Sequence, residues 1–432
     1  MEKDIEDELA TIGGNEVEGI TTTKNKDDAF KLLVGISATL LTTFLLLVIL
    51  LWVWASASGA ILGLKPAQSL ITWEEEYKEL TGMNEIEGLD GTGVSVCIVD
   101  SGIELSHPDL ENVNFLGWYD VISSTDSPYD DDGHGTAMAG IIVADGGLEG
   151  VAKDVDLLVA KAIDNTGSGT DEGIAEAVDW CVDRDADIIS LSLGGGQNLG
   201  SGIITTDTLE IAVENAIDQG VYVIAAAGND GENDDGDVSS PGSVEEVICV
   251  GGVTRLGNLW QGSSEGDNNG QIWPPKLPRS DPDKKPEVIA PGHEVPVLLT
   301  LDATGNSWWG WSSGTSASTA WVSGGLALFL EQYPEYQRNS NSDSSKVEEI
   351  KQLISQNSQM KDGQNQHDDH FGYGIMRIDY LINSVNNSSS ESLTFENYQI
   401  KSNYVSNIFE DFQTERRITA NVPPDNSTKA IE

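Results

Sequence analysis

The chain has 432 residues, 39% of them hydrophobic, which is enough for a sizeable core in one large domain or two and excludes a disordered protein. Its 71 acidic residues outnumber its 23 basic residues, and the resulting formal net charge of -48 is spread along the whole chain. A surface this acidic repels nucleic acid, so we expect no polynucleotide partner.

The first predicted element is an uncharged apolar stretch from Leu32 to Ala55, which follows a polar tail over residues 1–31. Its length is about that of a helix that crosses a bilayer, and Trp52 and Trp54 lie where an interfacial aromatic belt would be. We therefore predict a transmembrane helix over residues 32–55.

The charges on either side of this helix predict its orientation. Lys24, Lys26 and Lys31 lie just before it, whereas Lys65 and then the acidic run 74–76 follow it. Because basic residues favour the cytoplasmic side, the N-terminal tail is predicted to be cytoplasmic. The remainder of this single-pass membrane protein is predicted to be extracytoplasmic.

A cleavable signal peptide is the alternative to an uncleaved anchor. The small residues from Ala55 to Ala57 have the pattern that a signal peptidase needs. The long leader and the long apolar run favour the anchor. In both cases residues 56–85 are predicted to be a short linker.

Beyond the linker, short apolar runs rich in β-branched residues have the character of buried parallel strands. The predicted strands are Val94 to Val99, Val155 to Ile163, Ala186 to Leu193, Val221 to Ala227 and Glu246 to Val253.

Two amphipathic helices are predicted between these strands. One follows a predicted cap at Asp171 and places Val178 and Cys181 on its apolar face. The other lies between Asp207, its predicted cap, and Gly220, which would end it. Strands alternating with helices predict an α/β domain with a mostly parallel central sheet and helices on both faces.

The domain is predicted to span residues 86–385. It closes with an amphipathic helix around 347–354 and the segment FGYGIMRIDYLI. The tail over 386–432 is too polar and irregular to pack by itself and is predicted to be disordered.

The three cysteines, Cys97, Cys181 and Cys249, lie in apolar segments without metal-ligand spacing. Such an odd and sparse set argues against a disulfide framework. All three are therefore predicted to be small buried hydrophobic side chains.

Four polar residues lie at predicted strand ends or helix starts. Asp100 ends the first strand in IVDSGI, His134 lies in DDGHGTAMAG, Asn229 follows AAAG, and Ser316 lies in GTSAS, before an apolar helix expected to end before Pro334. Taken singly, each has a simpler role as a turn former, a cap or a structural histidine. Because ligands bind beyond the carboxyl ends of parallel strands, the four are predicted to share one crevice.

In this order, the four motifs resemble those of the subtilisin-like serine proteases (subtilases), and the resemblance extends from about Gly88 to Val385. The phrases SHPDL, SLGG and KPEVIAPG also match the family. The resemblance implies a subtilisin-like fold. It also implies a serine endopeptidase that hydrolyses peptide bonds through an acyl-enzyme intermediate.

The resemblance also implies the catalytic roles. Ser316 would attack the peptide carbonyl, and His134 would take its proton and later protonate the leaving amine. Asp100 would hold the imidazole in the right tautomer, and Asn229 would stabilise the oxyanion.

The resemblance also implies the substrate contacts. Two chain segments would flank an extended peptide, and a third would line a roomy first specificity pocket. These residues are Gly167, Ser168 and Gly169, then Ser192, Leu193 and Gly194, and finally Ala226, Ala227 and Gly228.

Three features depart from the family pattern. Ala320 stands where the family usually has proline, and Ala137 stands where it often has a second, non-catalytic histidine. The stretch between the predicted membrane helix and the domain is too short for the inhibitory propeptide that these enzymes commonly use. The activation route is therefore left open.

No cofactor is required for this chemistry, and the resemblance allows structural calcium. The acidic segment 228–237 is rich in oxygen ligands but lacks EF-hand spacing. The HDDH segment 367–370 is predicted to be a solvated loop. No residue is assigned to a metal.

The leading hypothesis is a membrane-anchored, outward-facing serine endopeptidase that acts on polypeptides. The alternative is a catalytically idle peptide-binding module on the same scaffold. A lipase or esterase would show a GxSxG elbow and the order Ser, Asp, His, and the sequence has neither.

Overall fold

The computed structural model describes residues 22–57, 65–194, 208–231, 237–266, 279–300, 308–388 and 430–431. The structure therefore describes only residues 22–31 of the N-terminal polar tail and only residues 386–388 and 430–431 of the C-terminal polar tail. The chain divides into two units, Met1–Leu64 and Lys65–Glu432. In the first, helix α1 spans Thr22–Ala57, and its stretch Ala29–Trp54 is long and apolar enough to cross a membrane.

The second unit is built on a sheet of seven parallel strands in the order β2-β3-β1-β4-β5-β6-β7. Apart from β2, the strands are almost wholly buried, which explains their continuous apolar sequences. All five predicted strands are confirmed, and β2 and β7 are additional. The strands are β1 Ser95–Asp100, β2 Phe115–Asp120, β3 Asp156–Lys161, β4 Ile188–Leu191, β5 Tyr222–Ala226, β6 Ile248–Val253 and β7 Val288–Pro291.

Helices cover both faces of this sheet, as predicted. Helices α3 and α6 pack together on one face, and α4 and α5 pack together on the other. The helices of this unit are α2 Gln68–Thr81, α3 His134–Val143, α4 Asp171–Asp183, α5 Thr208–Asp218, α6 Thr315–Gln332, α7 Ser344–Asn357 and α8 Ile378–Ser388.

A second, small sheet packs against helices α2 and α3. Strands β8 (Val295–Leu298) and β9 (Trp309–Ser312) pair antiparallel, and β10 (Ala430–Ile431) pairs parallel with β9. Strand β9 leads into Gly314 and α6, so it helps to position the start of that helix.

The predicted linker contains helix α2, which the sequence analysis missed. Leu70 and Tyr77 are buried in the domain core, and the Tyr77 hydroxyl donates to the carbonyl of His293. The Trp321 indole N–H of α6 donates to Thr81 Oγ1 at 3.2 Å. This part of the linker is therefore a packed part of the domain.

The prediction of three unpaired cysteines was wrong for two of them. Cys97 and Cys181 form a disulfide across a sequence separation of 84 residues, whereas Cys249 is a buried free thiol as expected. Cys181 lies on the buried face of α4, which packs on β1, and this brings it to Cys97. Spacing along the chain does not reveal such a pair.

The helix boundaries differ in one detail from the prediction. The cap of α4 is Thr170, whose Oγ1 accepts from the Gly173 N–H at 3.1 Å, and Asp171 is the first helical residue. Gly220 does end α5, with a left-handed φ of 79°. The predicted cap Asp207 lies outside the described residues.

Candidate active site

Asp100 is the last residue of β1, which lies between β3 and β4 in the sheet. It is 1% exposed, and its Oδ1 accepts from the Ser101 N–H at 2.7 Å. A buried carboxylate is costly without partners, and this one has a second partner in His134. The carboxylate at the end of β1 is therefore fixed in orientation by hydrogen bonds to Ser101 and His134.

His134 is the first residue of α3 and follows Gly133, which has a left-handed φ of 102°. Its Nδ1 lies 2.8 Å from Asp100 Oδ1 and 3.0 Å from Oδ2. A carboxylate can only accept, so Nδ1 carries the proton in this contact and Nε2 faces away as the available base.

The imidazole of His134 is 35% exposed and surrounded by carboxylates. Burial by itself lowers its pKa, but the attraction and hydrogen bond of Asp100, with further attraction from Asp132 and Asp130, raise the pKa from 6.5 to about 9. These carboxylates therefore favour the protonated ring.

Ser316 is the second residue of α6, at the positive end of the helix dipole. It is half-buried, and its Oγ donates to the carbonyl of Ser192 at 2.9 Å. In return, Ser192 Oγ donates to the Ser316 carbonyl at 3.1 Å. The end of β4 and the start of α6 are thus joined at this serine.

Asn229 follows β5 and is exposed. Its Oδ1 accepts from the Thr315 N–H at 2.9 Å and from Thr315 Oγ1 at 3.0 Å. Because the Thr315 N–H can only donate, the carbonyl side of the amide must face α6 and the NH₂ group must face away from Thr315. Thr315, which the sequence analysis did not single out, therefore orients Asn229 beside Ser316.

The predicted substrate-binding residues lie on three loops or strand ends. Gly167–Gly169 form an exposed loop between β3 and α4. A Cβ built on Gly167 would lie 4.0 Å from Asp132 Oδ2, so this loop lies near the start of α3.

The other two predicted segments continue the neighbouring strands β4 and β5. Ser192 is buried, Leu193 is half-buried and Gly194 is exposed. Ala226, Ala227 and Gly228 are all buried. Gly228 has a φ of 110°, and a Cβ there would lie 2.4 Å from Ser239 Oγ, so glycine is required.

The metal suggestions gain no support from the described residues. Residues 232–236 lie outside the described part of the chain, and Asp237 is paired with Arg279 through two contacts of 3.0 Å. Among the described residues no group of three or more His, Cys, Asp or Glu side chains could hold a metal ion.

The HDDH segment was predicted to be a solvated loop, but its first histidine is buried. The side chain of His367 is 2% exposed, and its Nε2 donates to the carbonyl of Pro286 at 2.9 Å. Burial lowers its pKa, so it is a neutral structural histidine.

Sequence and structure comparisons show which known proteins this chain is similar to. The family described as "Subtilase family" matches residues 91–374. Similar proteins from Bacillus subtilis include serine protease AprX, which is 35% identical over 57% of this chain and 59% of its own. The major intracellular serine protease is 35% identical over 58% of this chain and 72% of its own, and subtilisin E is 32% identical over 58% of each.

A solved structure described as a cold adapted subtilisin-like serine proteinase matches with a TM-score of 0.50 and 25% identity. The match covers 67% of this chain and 89% of that one. The chain spans less than two thirds of the length of AprX and of subtilisin E. The family match covers most of the chain, and on this ground the chain belongs to the subtilase family.

Proposed function

We propose that the protein is a serine endopeptidase with Asp100, His134 and Ser316 as its catalytic triad. The observation that carries the proposal is the contact of His134 Nδ1 with both carboxylate oxygens of Asp100. This contact leaves Nε2 as the base for a serine that lies at a helix N-terminus. Subtilases need no cofactor for this chemistry.

Catalysis begins when the Ser316 hydroxyl turns from the Ser192 carbonyl towards His134 Nε2. Ser316 Oγ attacks the peptide carbonyl carbon as its proton passes to Nε2, and Asp100 stabilises the imidazolium. His134 then gives this proton to the leaving amine as the C–N bond breaks. Water, with its proton taken by His134, hydrolyses the acyl-enzyme and restores Ser316.

The oxyanion of each tetrahedral intermediate would be held by two donors. One is the backbone N–H of Ser316, which is unsatisfied within α6 because it lies in the first turn. The other is the Asn229 amide, which Thr315 orients. Thr315 thus connects both donors, which favours a preorganised site.

The substrate would be an extended polypeptide bound between the segments 167–169 and 192–194 as an added strand. Main-chain hydrogen bonds would give affinity without much sequence selection. The turn at Ala226–Gly228 would form the floor of the first specificity pocket.

Labelling of the full-length protein in detergent with a fluorophosphonate probe tests the triad. We expect the native protein to take label at Ser316 and the variants Ser316→Ala and His134→Ala to take none. Ser318→Ala is the matched control in the same motif, because Ser318 is buried and donates to the carbonyls of Ala290 and Pro291. A folded native protein without label would instead support the idle peptide-binding module.

We further propose that α1 anchors the protein with its N-terminus in the cytoplasm and the catalytic domain outside. The basic residues before the apolar stretch support this orientation. The Cys97–Cys181 disulfide also supports it, because disulfides persist in oxidising compartments. Added protease should reach the domain on intact cells, and a domain protected under these conditions contradicts the placement.

Structural calcium would be a property of the family that the described residues do not support. Asp237, the last residue of the acidic segment 228–237, forms a salt bridge with Arg279. We derive no catalytic step through calcium.

A further inference from the structure

The start of α3, which carries His134, has no side-chain cap of its own. Its cap position is Gly133, and no side-chain hydrogen bond comes from that residue. The first N–H groups of a helix need acceptors, and a buried helix start without them is destabilised. Here Asp130 accepts from the Gly133 and Thr136 N–H groups, and Asp132 accepts from the His134 N–H at 3.2 Å.

Asp130 is 5% exposed and accepts hydrogen bonds at both oxygens. Its Oδ1 accepts from the Gly133 N–H at 2.8 Å and from Ser101 Oγ at 2.9 Å. Its Oδ2 accepts from the Thr136 N–H at 2.8 Å and from Thr136 Oγ1 at 2.6 Å. Each carboxylate oxygen of Asp130 therefore accepts from a backbone N–H, which can act only as a hydrogen-bond donor.

Ser101 connects this carboxylate to the other half of the site. It follows Asp100 directly, and its Oγ also accepts from the Gly135 N–H at 2.8 Å. The backbones meet at the same place, because a Cβ on Gly135 would lie 2.2 Å from the Gly102 carbonyl oxygen. The helix carrying His134 is thus seated on the two residues that follow Asp100.

We propose that Asp130 is a positioning residue that, through Ser101, sets the distance between His134 and Asp100. The proposal rests on the proposed triad. A rigid link of this kind matters because displacement of a catalytic group by about 1 Å can reduce the rate about 100-fold.

The test compares Asp130→Asn with Asp120→Asn in the full-length protein. Asp120 is a matched control because it is 4% exposed and accepts four hydrogen bonds within its own turn, against five at Asp130, whose Oδ1 also accepts from the Asp132 N–H at 3.3 Å. It ends β2, and its turn contacts neither His134 nor Ser101 through these bonds. Both substitutions place an NH₂ group against backbone N–H groups, so both should cost stability.

Only Asp130→Asn should change catalysis. We expect kcat to fall about 100-fold with KM within about threefold of the native value. The pH midpoint of kcat/KM should also fall, but part of that fall comes from loss of the Asp130 charge near His134, so the midpoint is also compared in Ser101→Ala, which removes no charge. Ser101→Ala should act in the same direction, and it provides a second test if Asp130→Asn does not fold. In Asp120→Asn, kcat and the pH midpoint should match those of the native protein.

A direct readout is the downfield proton NMR signal of the hydrogen bond between His134 and Asp100. It should weaken in Asp130→Asn and persist in Asp120→Asn. Retention of kcat, pH midpoint and NMR signal in Asp130→Asn, or equal changes in Asp120→Asn, would overturn the proposal. A native protein without activity rejects the proposed function instead, and the NMR comparison still decides the positioning role.

Discussion

Replacing both members of the Cys97–Cys181 disulfide by alanine should destabilise the subtilase domain strongly. A cross-link between residues separated by 84 positions removes about 4.5 kcal/mol of denatured-state entropy at room temperature, by the loop-closure relation. Each lost sulfur should cost about 1 kcal/mol more through lost burial. Cys249→Ala is the matched control, because Cys249 is an equally buried cysteine without a cross-link.

The free energy of unfolding is measured in urea by tryptophan fluorescence, with linear extrapolation to water. Thiol titration of the denatured, unreduced protein should find the single thiol of Cys249. The reasoning fails if the double variant costs no more than twice the Cys249→Ala change, or if all three cysteines titrate in the native chain.

Three further predictions concern the site and the domain. Because neutral His134 is the proposed base, kcat/KM should rise with pH, and the midpoint of this rise should lie above 6.5 and no higher than about 9, since water screens a partly exposed ring. Asp132→Asn should lower this midpoint, and an unchanged midpoint contradicts the assignment of Asp132 as a contributor. Asn229→Ala should reduce kcat about 100- to 1000-fold, the loss that removal of one oxyanion donor causes in subtilisin, with little change in KM; an unchanged kcat removes Asn229 from the oxyanion site. A chain truncated to residues 86–385 should unfold at a lower temperature than one beginning at Lys65, because it lacks α2; equal thermal midpoints would show that α2 is dispensable.

The sequence predicted the centre of the sheet well because buried parallel strands are apolar along their whole length. Strand β2 escaped prediction because it is an edge strand, with Leu116 55% exposed and most other residues only partly buried. Helix α2 escaped because five of its 14 residues are charged, and only a few of its uncharged side chains, such as Leu70 and Tyr77, enter the core.

The site was predicted as separate residues at strand ends and helix starts. What the sequence could not reveal are the groups that connect them, since their hydrogen bonds join residues distant in the chain. Asp130 was one acidic residue in a run of three, and Thr315 was one small residue beside Ser316. Their roles depend on which backbone N–H groups the fold places beside them.

The packing of α2 also bears on how the proposed peptidase could be activated. The sequence analysis found the stretch between the membrane helix and the domain too short for the usual inhibitory propeptide and left the activation route open. Removal of α2 would take Leu70 and Tyr77 out of the core, at a cost of about 3 to 6 kcal/mol in lost burial. It would also break the hydrogen bond from Trp321 of α6, the helix that carries Ser316. Because the loss of residues 68–81 would weaken the support of α6, we infer that they stay with the domain and do not act as a removable inhibitor.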